Sequence, residues 1–188
     1  MAIEIQQMTV EEYLAFDEAS EIRNEFIDGE LIPMPGGSGS HNLIVASATA
    51  ALVVALSDRD CFVFGSQMRV SVDASKYLYP DVSVVCGEPA YGDDNEVILL
   101  NPTVVVEVTS PSSIERDRVS KVELYGDIPS VIGYLILDQE RVFAQWYTRT
   151  ESGWHLRQFT ELADEIELEP LGCTLTLAQA YRGVKLET

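Results

Sequence analysis

Two periodicities of apolar and polar residues alternate along this chain, and the switches between them mark its elements. Thr9 opens a short helix whose apolar side is Tyr13, Leu14 and Phe16, with Glu12 completing a capping box that satisfies the first amides. Asn24 to Met34 carries Asp28-Gly29 between NEFI and ELIPM, a strong hairpin signal because both turn residues tolerate positive φ. A Gly- and Ser-rich stretch from Pro35 to Ser40 follows. Leu43 to Leu56, nearly all apolar or small, then reads as a buried helix. Strands are expected at Phe62–Phe64, Met68–Val72, Asp81–Val85 and Thr103–Thr109, the last apolar on both faces like a central, doubly covered strand. Ser112 or Ser113 caps a helix running to about Asp127, where Pro129 stops it. Strands at Gly133–Leu137, Val142–Thr148 and Trp154–Phe159 and a short helix at Leu177–Arg182 complete the pattern. The fold class is therefore α/β or α+β, a central mixed β-sheet flanked by helices. No internal repeat or low-complexity linker divides it, so residues 1–188 are expected to form one domain.

Composition narrows the function. With 46% hydrophobic residues the chain can bury a substantial core, which excludes a disordered or collagen-like protein. Its 31 acidic and 12 basic residues give a net charge of −19, which argues against loose coating of polyanions or of anionic membranes. Leu43–Leu56 is too short to span a bilayer, and the N-terminus lacks the cationic start and apolar run of a signal peptide. Cys61, Cys86 and Cys173 are widely spaced with no CxxC pair. Reduced thiols in a cytoplasmic protein are expected, without structural zinc or a disulfide framework.

The candidate chemistry begins with Glu107. A carboxylate inside Val104-Val105-Val106-Glu107-Val108 must be paired, protonated or bound to a cation. Asp81 opens its own strand and shares a face with Ser83 and Val85. Two such carboxylates on neighbouring strands would make a hard-oxygen site suited to Mg²⁺. In the following helix, Asp117, Lys121 and Tyr125 lie along one face at i, i+4, i+8, and Arg116 and Arg118 concentrate positive charge nearby. The plain alternatives are a strand-entry aspartate, a buried salt bridge and a solvated ion pair. Gln67, before the Met68 strand, is a further candidate for the same cleft. Trp146 and Trp154 read as packing residues, and Glu161 to Glu169 as a solvated acidic edge.

In order and spacing these residues resemble the Uma2 family, a bacterial group with the restriction-endonuclease-like, PD-(D/E)xK nuclease fold. The resemblance rests on Glu25-Phe26-Ile27-Asp28-Gly29-Glu30-Leu31, His41, Pro80-Asp81, Glu107-Val108-Thr109-Ser110-Pro111-Ser112-Ser113, Asp117-xxx-Lys121-xxx-Tyr125 and Gly133-Tyr134-Leu135-Ile136-Leu137-Asp138, and it covers about Met8 to Tyr181. It implies that Asp81 and Glu107 bind Mg²⁺ or Mn²⁺ with the Val108 carbonyl. Thr109 stands where the general motif has lysine, so that role passes to Lys121. Glu25 becomes an accessory acidic residue, and His41 resembles the family's histidine before the long helix. Leu135 replaces a tryptophan usual in the family, a change expected in the core. The implied function is a metal-dependent endonuclease acting on nucleic acid, with DNA the first candidate, as a homodimer whose two sites serve two strands. A catalytically inactive nuclease-fold module that assembles or binds nucleic acid is the main alternative, favoured by the net charge. A two-carboxylate glycosidase is the weaker one, since it leaves Lys121 unexplained.

Overall fold

The computed structural model describes residues 8–34, 36–109 and 120–185. Its centre is a six-stranded sheet in the order β11 (Gly153–Phe159), β10 (Ala144–Thr150), β9 (Gly133–Asp138), β8 (Val104–Thr109), β6 (Val82–Cys86) and β3 (Cys61–Gly65). Only β8 and β9 run parallel, so the sheet is mixed, as expected. Every residue of β8 and β9 is buried, which accounts for their unbroken apolar sequences.

The two faces of β8 belong to different cores. Val104, Val106 and Val108 pack with Ile44, Ala48 and Leu52 of α2 (Gly39–Ala55). Val105 packs on the other side with Val70, Leu78 and Tyr125. That second side is covered by a five-stranded sheet in the order β2 (Glu30–Pro33), β1 (Asn24–Ile27), β5 (Lys76–Leu78), β4 (Arg69–Asp73) and β7 (Ile98–Leu99), and by α3 (Ser120–Gly126). The β1–β2 hairpin turns at Asp28 and Gly29 with φ of 50° and 93°, the conformation the Asp-Gly pair predicts. β12 (Glu165–Leu168) and β13 (Cys173–Thr176) form a small antiparallel pair, followed by α4 (Leu177–Ala180). The acidic edge is thus partly ordered, with Ile166 and Leu168 facing the core between exposed glutamates. Trp146 is fully buried against Gly133, where a Cβ would lie only 2.1 Å from its ring, so packing is its role.

Two expectations are corrected. The α2 helix is buried along one stripe only. Ile44, Ala48 and Leu52 pack into the core shared with the central sheet, β13 and α4, while Leu43, Val53 and Val54 are exposed, Val54 at 74%, because no described residue covers that face. The cysteines are not all reduced. Antiparallel pairing of β3 with β6 sets Cys61 opposite Cys86, and the two form a disulfide, leaving Cys173 free. Their 25-residue separation carries no local signature, so the pairing is a product of register.

The helix α1 (Val10–Ala19) is fixed by a buried ion pair that its sequence did not advertise. Arg69 Nη2 lies 2.6 Å from Asp17 Oδ2, and the Tyr79 hydroxyl and the Asn24 amide donate to the same carboxylate. Burial alone would raise the Asp17 pKa, but hydrogen bonds from Tyr79, Arg69 and Asn24 outweigh it and hold the group below the ordinary carboxylate range.

Breaking this pair with Asp17→Ala strands Arg69 and should cost about 3–5 kcal/mol, roughly 6–20 °C in melting temperature for a chain of this size. Because the folded pKa is depressed, the contribution is complete above the unfolded value near about 4 and fades as pH falls further. The melting difference between wild type and Asp17→Asn should therefore narrow below that pH; a constant difference would assign the effect to packing. For the cysteines, alkylation of denatured, unreduced protein should modify Cys173 alone by mass spectrometry, and reduction should expose all three. Full labelling without reductant would show Cys61 and Cys86 unlinked.

Candidate active site

Sheet register creates the acidic pair. Val82 faces Val106 and Ser83 faces Val105 across β6 and β8, so one further step brings Asp81 opposite Glu107 at the end of β6. The Val108 amide donates to Asp81 Oδ2 at 2.7 Å and locks the aspartate to the neighbouring strand. Glu107 lies on the side of β8 that carries Val105, beneath α3 and the second sheet. From α3, one turn apart, Lys121 Nζ and the Tyr125 hydroxyl each approach Glu107 Oε1 at 2.6 Å. Burial, and then the charge of Glu107, push the Tyr125 pKa well above its ordinary value, so the hydroxyl stays a donor.

Glu25 enters from β1 in the second sheet. Its Oε1 lies 2.9 Å from Lys121 Nζ and accepts a long bond from the Tyr79 amide at 3.5 Å. Lys121 is 1% exposed, Glu25 0% and Glu107 4%, so one ammonium bridges two carboxylates away from solvent. Asp81 lies beside this cluster at the base of the cleft. The oxygen donors of Asp81, Glu107 and the Val108 carbonyl fit a divalent ion such as Mg²⁺, which binds through one or two carboxylates and keeps several waters. Among the described residues no group of three or more His, Cys, Asp or Glu side chains is arranged to hold a metal, so the fit rests on the two-carboxylate pattern.

His41 lies in the first turn of α2, where its amide donates to the capping Ser38 hydroxyl. Its imidazole occupies space that a side chain at position 37 would fill, since a Cβ on Gly37 would approach Nδ1 to 2.4 Å. Nε2 lies 3.3 Å from Asp81 Oδ2, which brings His41 into the cluster. Gln67 reaches the same cleft, of about 740 Å³, whose base is Asp81, Glu107 and Lys121. Asp117 and the start of the expected helix lie outside the described residues. The sequence reading missed Arg23 and Tyr79, both lining the cleft. Tyr79 was within reach of the alternation argument, being two residues before Asp81; nothing in the local pattern marks Arg23.

A mixed sheet with a buried acidic pair beside a lysine defines the restriction-endonuclease-like class, and the comparisons agree. The chain belongs to the Uma2 family, described as "Putative restriction endonuclease", whose family model matches residues 10–179. Two proteins of Synechocystis sp. (strain ATCC 27184 / PCC 6803 / Kazusa) are similar. "Uncharacterized protein sll1609" is 33% identical over 162 residues, covering 85% of this chain and 92% of that protein. "Uncharacterized protein slr1290" is 31% identical over 179 residues, covering 95% and 93%. A crystal structure titled as a "putative nuclease belonging to DUF820" from Anabaena variabilis ATCC 29413 shares the fold with a TM-score of 0.76, covering 93% of this chain and 97% of that one at 16% identity.

Sharing one ammonium between Glu25 and Glu107 has a measurable consequence in chelator. Lys121→Met should lose about 3–5 kcal/mol, because two buried carboxylates lose the cation they share. Glu107→Gln, which leaves Lys121 with Glu25 and Tyr125 with an acceptor, should lose about 1–2 kcal/mol. Equal losses in thermal melts would mean that the ammonium is not shared.

Proposed function

We propose that the chain is a metal-dependent endonuclease that hydrolyses phosphodiester bonds of nucleic acid, with DNA the first candidate substrate and Mg²⁺, or Mn²⁺ in its place, the cofactor. The observation that carries this reading is the placement of Asp81, Glu107 and Lys121 together at the base of one cleft. A divalent ion held by Asp81, Glu107 and the Val108 carbonyl would polarise the scissile phosphate and make water a competent nucleophile at neutral pH. Lys121 sets positive charge where the phosphoryl oxygens gain negative charge. Glu25 holds Lys121 in place, Tyr125 fixes the Glu107 carboxylate, and His41 with the Val108 amide fixes Asp81.

Residues 1–188 form a single domain in this reading. A cytoplasmic location belongs to this reading, and there the Cys61–Cys86 disulfide would be an exception to the usual reduced state. Among the described residues no helix is long and apolar enough to cross a membrane. A homodimer is supported by the apolar face made by Leu43, Val53 and Val54 of α2 and Phe62 on the edge strand β3. The α2 sequence has no Lys, Arg, Asp or Glu, so two chains of charge −19 can meet there with the least repulsion. The rival reading, an inactive nuclease-fold module, draws on the same net charge, since few cations are available for phosphate contacts.

Cleavage assays on single- and double-stranded DNA and RNA with Mg²⁺ separate the two. Wild type should cleave at least one substrate, and Asp81→Asn and Glu107→Gln should each reduce turnover by about 100-fold or more, the scale of losing one electrostatic stabiliser. Undiminished turnover in either variant would remove that residue from the mechanism. Absence of cleavage on all four by wild type would decide for the inert module.

A further inference from the structure

Beside the acidic pair, the cleft carries a cationic fork that the hydrolytic chemistry leaves unused. Arg23 immediately precedes β1, and its Nε donates to Gln67 Oε1 at 2.9 Å. Its guanidinium carbon lies 5.7 Å from the centroid of the Tyr79 ring, within cation–π range. Its terminal Nη groups have no hydrogen-bond or ion-pair partner among the described residues. A guanidinium only donates, so the Gln67 oxygen is the atom facing Arg23, and its amide nitrogen remains a second donor.

The platform under Arg23 is rigid and close to the acidic pair. Tyr79 donates its hydroxyl to Asp17 and accepts from Arg69 Nε, an arginine already committed to Asp17. Tyr79 and Asp81 are two residues apart across Pro80, so their backbones lie no more than about 7 Å from each other. Both line the cleft. Of the other cations there, Lys121 is bound by Glu25 and Glu107, while Glu21 is an exposed acid on the rim. A planar fork with a neighbouring amide donor matches the two non-bridging oxygens of a phosphodiester.

We propose that Arg23 and the Gln67 amide form a phosphodiester-binding subsite in the cleft that Asp81 and Glu107 line, for a phosphate neighbouring the one those carboxylates would engage. This rests on the nuclease reading but concerns binding, so it can be tested without turnover. Binding of a short fluorescein-labelled single-stranded DNA in EDTA, followed by anisotropy across a salt series, reads it directly. Arg23→Ala should weaken binding about tenfold and flatten the slope of log K against log salt by about 0.7, the share of one phosphate contact. Arg23→Lys should keep the slope and lose part of the affinity. Gln67→Glu, at an exposed position, should capture Arg23 in an ion pair and behave like Arg23→Ala; a merely structural role for Arg23 would leave the salt slope unchanged. Wild-type affinity and slope in Arg23→Ala would overturn the subsite, and Asp81-dependent cleavage by wild type would then keep the nuclease reading intact. Loss of binding in Arg23→Ala without any cleavage by wild type would support the subsite on an inert module. Absence of both binding and cleavage in wild type would overturn both.

Discussion

Carboxylates packed beside one another out of water need a cation or a shared proton between them, and among the described residues Lys121 supplies the cation to Glu25 and Glu107. Its ammonium lies within 2.9 Å of Glu25 and 2.6 Å of Glu107, which come from different sheets, while the lysine itself comes from a helix. Three elements distant in the chain therefore meet at one charge. The cost of burying any of the three alone is large, so α3, β1 and β8 are held in a single relative arrangement. The same arrangement leaves Asp81 beside Glu107 and Lys121 at the base of the cleft.

A second buried ion pair supports the first from outside. Asp17 and Arg69 anchor α1 to β4 and, through the Tyr79 hydroxyl, fix the segment that leads through Pro80 to Asp81. The Tyr79 amide also reaches Glu25, so the two networks touch at one residue. An aspartate at the end of a strand would otherwise choose its own rotamer. Here the Val108 amide and the His41 imidazole converge on one of its oxygens. The position of Asp81 is thus set by a backbone amide and an imidazole, and that of Glu107 by Lys121 and the Tyr125 hydroxyl.

Much of this was legible in the chain. Glu107 stood out because a carboxylate in an apolar strand is costly wherever the strand lies, and the Asp28-Gly29 turn because its φ values exclude most other residues. Lys121 and Tyr125 were linked by helical spacing. Arg23 and the Asp17–Arg69 pair were not legible, because each takes its meaning from a partner 44 or 52 residues away and neither spacing leaves a local pattern. The Cys61–Cys86 bond failed for the same reason, and the burial of α2 was overestimated because composition tells how apolar a helix is, not how many layers cover it.

By itself, then, the sequence determined the local events: where strands and helices begin, which turns are allowed, and which polar residues would be expensive to bury. Those depend on neighbours within a few positions, where backbone geometry dictates the outcome. Tertiary structure alone decided that Glu25 shares its lysine with Glu107, that Asp81 faces Glu107 by sheet register, and that Arg23 rests on Tyr79. Such choices depend on which surfaces are brought together, and contact between residues far apart in the chain has no fixed spacing for a sequence pattern to reveal.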